Sequence, residues 1–173
     1  SLDHAAPAGL APQEGEQPLA IGGPRPDGVL VWKKKLPRTD ALQVPDGTHH
    51  KGAVQLTQAG FENPPGQRIR PATYFRQLFA EYQWEPEPGK AADQEHTFVP
   101  MRIFIRGHDY GVRNFEISHN PTREADQNNY TTNLRWGRDF TATVVAANLT
   151  GTIFSLFELG DENVGFLIEI NDP

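Results

Sequence analysis

Residues 117–137 read ISHNPTREADQNNYTTNLRWG, a polar run set between two strand-like patterns. Within it, Asn120, Thr122, Arg123, Glu124, Asp126, Gln127, Asn128, Asn129 and Tyr130 bring amides, carboxylates, hydroxyls and a guanidinium together. A solvated loop needs polarity but not this variety of donors and acceptors. A surface that reads hydrogen-bonding edges needs both in quantity. In the DNA major groove each base pair shows its own pattern: arginine or lysine suits guanine, asparagine or glutamine suits adenine, and a carboxylate accepts from cytosine.

Working upstream, a second stretch has the same chemistry. Val29-Leu30-Val31-Trp32 is a short apolar strand pattern, followed at once by Lys33, Lys34 and Lys35. Pro37, then Pro45-Asp46-Gly47, break the pattern, so the segment up to Lys51 reads as a long loop. It carries Lys34, Lys35, Arg38, Thr39, Asp40, Gln43, His49, His50 and Lys51. Flanking both loops, Lys33, Arg106, Arg113 and Arg135 are candidates to hold phosphates and set register. The net charge of −6 argues against a generic polyanion binder, but its distribution is uneven. Residues 32–58 hold five basic residues against two acids, and residues 102–138 hold six arginines against four acids.

Between and beyond the loops the chain reads as mainly β. Residues 53–57 alternate, with Val54 and Leu56 on one face. Residues 69–79 are the one clear helix, with Pro71 in its first turn and Tyr74, Phe75, Leu78 and Phe79 as its buried stripe. Residues 85–89 read as an exposed loop. Strand patterns follow over 98–106, 112–118, 130–136, 141–145, 152–159 and 164–170, with a turn over 107–111. Trp32, Trp84 and Trp136 are assigned to the core. The expected fold is a seven-stranded open pseudobarrel with one or two short helices. Residues 1–28, rich in Pro, Gly, Ala and Glu, read as a flexible linker or tail, and residues 29–173 as the domain.

Catalytic signals are weak. His49-His50-Lys51 opens like a phospholipase-D-type motif, but Leu56 sits where the aspartate should follow after four more residues. No acid pair precedes an acid-any-lysine triplet, and the histidines lack zinc-site spacing. The chain is therefore read as non-catalytic, without cofactor or metal. With no cysteine, no signal sequence and no long apolar run, a reducing cytoplasm is the default and no membrane partner is expected. On the residues alone, two solvated loops and two base-reading loops remain open. So does a carbohydrate- or small-ligand-binding β module that would stack sugars on the tryptophans.

Two segments favour DNA. Residues 32–41 (WKKKLPRTDA) running into 52–59 (GAVQLTQA), and residues 117–137, resemble the C-terminal DNA-binding domain of BfiI-like restriction endonucleases. Arg135-Trp136-Gly137 is also similar to the effector-binding domain of EcoRII. The resemblance implies a DNA-binding pseudobarrel, the fold shared with plant auxin-response and seed-maturation transcription factors, in which two arms clamp the major groove of double-stranded DNA. It places the N-terminal arm over residues 33–51 and the C-terminal arm over residues 120–130. In that family a phospholipase-D-like nuclease domain precedes this one. The implied partners are thus double-stranded DNA and, if the chain is a fragment, a nuclease domain of the same polypeptide.

Overall fold

The computed structural model describes residues 23–44, 52–121, 132–161 and 163–173. In chain order these form β1 (Val29–Lys35), β2 (Ala53–Gln55), α1 (Pro71–Leu78), β3 (Glu85–Pro86) and β4 (Glu95–Ile105). Then come β5 (His108–His119), β6 (Thr132–Arg135), α2 (Thr141–Ala147), β7 (Ile153–Glu158) and β8 (Phe166–Asn171). The strands make one curled, open sheet in the order β1-β7-β8-β4-β5-β6-β2, with β3 on β4. Among the described residues only β4 and β8 pair in parallel. β8 covers Met101 to Ile105 of β4, and β3 takes the stretch at Glu95 and His96. The mainly β, open-barrel architecture is the one the alternating patterns led us to expect.

The long β4–β5 hairpin forms the spine. Its turn is two residues, Arg106 and Gly107, both with positive φ (48° and 83°). That conformation matches the twist of the flanking strands. The turn therefore lies one residue earlier than expected, and pairing resumes at His108. The main core fills the inside of the curl. Trp32 packs edge-on against Phe75 (5.3 Å) and Phe154 (5.8 Å), and Trp136 reaches Phe154 from the other side at 6.2 Å. Helix α1 supplies Phe75 and, just beyond its end, Phe79, both fully buried; Pro71 opens it as the sequence suggested.

Two local readings change. Residues 141–145 are helix α2, not strand. β-Branched Thr141, Thr143, Val144 and Val145 mimic a strand there, but the buried pair is Phe140 and Val144, four residues apart. Asn148, in the left-handed conformation (φ 47°), terminates the helix. Residues 85–86, expected as loop, pair briefly with β4.

The outer face of the sheet also has a small apolar cluster: Phe104, Val112, Leu159, Val164 and Leu167. Residues 23–28, expected as part of a tail, lie against this side. Buried Arg102 donates to the carbonyls of Gly23 (2.9 Å) and Pro24 (3.0 Å). Arg25 pairs with Glu169 at 2.8 Å and lies over the ring of Phe157 at 5.1 Å. Gly28 allows the close approach where this segment enters β1: a Cβ there would meet the Glu158 carbonyl oxygen at 2.9 Å. Coverage on both faces explains why β4 is buried almost continuously from Val99 on, rather than alternating.

Candidate nucleic-acid interface

The first polar connection links β1 to β2. Exposed Pro37, Arg38 and Thr39 lead into a tight turn, in which the Gln43 N–H donates to the Arg38 carbonyl (2.8 Å). Buried Ala41 and Leu42 anchor the turn, and Leu42 takes a positive φ of 61°. Lys33 and Lys35 project from β1, both exposed. Lys33, Lys35 and Arg38 make no ion pair among the described residues. His49, His50 and Lys51 lie outside the described residues.

Three candidates in this connection have internal roles. Asp40 is 1 % exposed, and its carboxylate receives the Lys34 ammonium at 2.7 Å. Lys34 also donates to the Gln55 carbonyl at 2.8 Å. The pair thus bridges β1 and β2, the two edges of the open sheet. Gln43 donates to the carbonyl of Val145 on α2 at 2.8 Å. Burial pushes the Asp40 carboxyl above the usual carboxylate range; the charge and hydrogen bond of Lys34 and the Gln55 N–H only partly oppose it. We accordingly assign Lys34, Asp40 and Gln43 to holding the loop, not to meeting bases.

The second connection links β5 to β6. Asn120, at its start, donates to the Gln94 side chain at 3.1 Å. Thr122, Arg123, Glu124, Asp126, Gln127, Asn128, Asn129 and Tyr130 lie outside the described residues.

Strand β6 relates the two connections, because it pairs with both β5 and β2. Thr132 lies beside His119, so the second connection leaves and re-enters at that end. Arg135 lies beside Ala53, and the Trp136 N–H donates to the Gly52 carbonyl (2.9 Å), so the first connection rejoins at the other end. The three residue steps from Thr132 to Arg135 span about 10 Å, against a major groove about 12 Å wide.

Between these ends the outer face of β4, β5, β6 and β2 is polar. One cross-strand row runs His96, Ser118, Asn133, Gln55; the next runs Phe98, Glu116, Arg135, Ala53. The Asn133 Oδ1 atom is buried and has no hydrogen-bond partner among the described residues. Arg135 holds an ion-pair network here. Its Nη1 lies 2.8 Å from Glu87 Oε2 and 2.8 Å from Glu116 Oε2. Glu116 Oε2 is also 2.7 Å from His96 Nδ1, and Gln94 donates to Glu87 at 2.9 Å. Burial works against the charge on Glu87, but hydrogen bonds from Arg135 and Gln94 outweigh it and hold the carboxyl below its ordinary range. Burial likewise disfavours the Arg135 cation, and its bonds to Glu87 and the charge of Glu116 overcome that.

Glu87, His96 and Glu116 also place a ligand atom each within 4.8 Å of one another, a donor set suited to a divalent ion. In this structure the Arg135 guanidinium supplies the positive charge between the two carboxylates. None of Glu87, Gln94, His96 and Glu116 was a candidate from sequence. They meet Arg135 only through strand register and the approach of residue 87, and neither leaves a local signature.

The other phosphate candidates differ from one another. Arg113 is buried, bound to Asp139 and packed over Phe140 at 4.5 Å, a structural position. Arg106, at the hairpin tip, pairs with Asp172 at 3.1 Å and donates to the carbonyls of Ala147 and Asn148. Lys33 alone among the four is exposed and makes no ion pair with a described residue. Among the described residues no helix is long and apolar enough to cross a membrane. Comparison of the chain with family models, with curated proteins and with solved structures returns no match.

Proposed function

We propose that this chain is a sequence-specific, double-stranded DNA-recognition module, of the kind that serves as target-recognition domain in BfiI-like restriction endonucleases, and is not itself catalytic. The observation that carries this reading is the placement of the two polar connections. They meet the sheet at opposite ends of four-residue β6, flanking a polar face about one major groove wide. Arg38 and Thr39 of the first connection, and residues 122–130 of the second, supply base-reading chemistry in the sequence. Lys33 and Lys35 supply backbone contacts. The acids of the second connection, costly to a purely electrostatic binder, suit cytosine and the rejection of wrong bases. The module works in the cytoplasm without a cofactor, and a nuclease domain of the same polypeptide is its natural partner.

The carbohydrate reading loses its motive. Trp32 and Trp136 are buried, each with its indole N–H bound to a backbone carbonyl. The Trp84 ring is covered by the Arg76 guanidinium at 4.2 Å.

Selection of bound duplexes from a randomised pool at moderate salt tests the proposal. A common sequence motif is the expected result. Recovery of a pool no different from the input, with tryptophan quenching by glycans, would sink it.

A further inference from the structure

The charges on the face between the two connections carry a second inference, which rests on the DNA reading above. Arg135 is the cation of that face, with 27 % of its side chain exposed. It does not stand ready for a phosphate. Nη1 is shared between Glu87 and Glu116, and Nη2 lies 3.2 Å from Glu87 Oε1. Two carboxylates thus hold the one guanidinium that faces an approaching polyanion, and Glu116 is in turn held by His96 Nδ1 at 2.7 Å. Of the two carboxylates, Glu87 also leads toward the second connection. Gln94 donates to Glu87 at 2.9 Å and accepts from Asn120 at 3.1 Å. Hydrogen bonds therefore run from Asn120, where the second connection starts, to Arg135, where the first one ends.

We propose that Glu87 and Glu116 are specificity-determining residues: they withhold Arg135 from the phosphates of random duplex, and yield it when the second connection engages its cognate sequence. The two states are a guanidinium held by carboxylates and one held by phosphate. Asn120 and Gln94 bias the exchange, because displacing Asn120 removes a support of Glu87. Coupling of this kind needs contacts that differ between the two states, and the Glu87 bonds to Arg135 are the ones that phosphate would replace. Withholding one cation lowers affinity for every wrong sequence while the right one regains it, which widens discrimination.

The test is binding of the selected duplex and a scrambled duplex across a salt series, with thermal melts to confirm folding. For Glu87→Gln, the scrambled-duplex plot of log K against log salt should steepen by about 0.9, one added phosphate contact. Its affinity should rise on the order of tenfold, with the selected-duplex slope unchanged. Glu116→Gln should act in the same direction and serves if Glu87→Gln does not fold. Arg135→Gln should reduce the selected-duplex slope by about 0.9 and leave the scrambled one alone. Gln94→Leu removes the same support of Glu87, so it should steepen the scrambled-duplex slope, by less than Glu87→Gln does, and leave the selected-duplex slope unchanged. Folded Glu87→Gln and Glu116→Gln proteins with wild-type slopes on scrambled duplex would overturn the proposal. So would an Arg135→Gln protein that loses both slopes equally, which describes an ordinary phosphate contact. A wild-type protein that selects no duplex overturns the DNA reading and this inference together. Selective binding with unchanged slopes overturns this inference alone.

Discussion

The Lys34 ammonium lies 2.7 Å from the Asp40 carboxylate and 2.8 Å from the Gln55 carbonyl, so one side chain on β1 closes the open seam against β2. Breaking a buried pair from one side strands the other charge, and costs about 3–5 kcal/mol. Lys34→Met is expected to approach that loss at neutral pH by urea denaturation. Lys34→Met with Asp40→Asn should recover much of it.

The seam also has a pH signature. The folded Asp40 carboxyl titrates above its unfolded value, because burial outweighs Lys34. Its contribution to stability is full below the unfolded value of 3.8 and is lost as pH rises through the folded value. The penalty of Lys34→Met should therefore shrink on acidification, as Asp40 protonates. A penalty independent of pH would contradict this account.

Glu87 has the opposite sign. Its carboxyl is held below 4.5, so its stabilising contribution is present above that value and is lost as pH falls through the folded value. The stability of Glu87→Gln should show less acid dependence than wild type in that window, measured by denaturant midpoints.

Two arginines should separate cleanly. Arg123→Ala is expected to relax specificity at about one base pair and to cost about 1–3 kcal/mol of binding. Arg113→Ala removes a buried partner of Asp139 and should cost about 1–3 kcal/mol of folding stability. The sequence selected from a random pool should be unchanged in Arg113→Ala.

A chain beginning at residue 23 and one beginning at residue 29 should differ. The second lacks the carbonyls of Gly23 and Pro24 that satisfy buried Arg102, and lacks the Arg25 to Glu169 pair. A loss of about 1–3 kcal/mol between the two is expected in thermal melts.

The β character was legible because alternation is local: Val54 and Leu56, Phe115 and Ile117 sit on one face in the sequence and in the sheet. Helix α2 was not, because β-branched Thr141, Thr143, Val144 and Val145 satisfy a strand template, and only packing of Phe140 and Val144 into the core reveals the helical period. The site divides the same way. Arg38 and Thr39, singled out by chemistry and turn signals, are exposed. Asp40 and Lys34 look identical to such loop residues, and their roles follow from two sheet edges meeting, which no short window contains. Glu87 and Arg135 stand 48 positions apart, joined by tertiary placement alone.

An open sheet exposes two edges that a strand from another molecule could extend. On the β2 edge the Gln55 carbonyl is already taken by an inward-turned ammonium, a charged side chain set where a stranger's backbone N–H would dock. Lys34 thereby occupies an acceptor that an added strand would use on that edge, and the residue that ties β1 to β2 also blunts the edge it reaches.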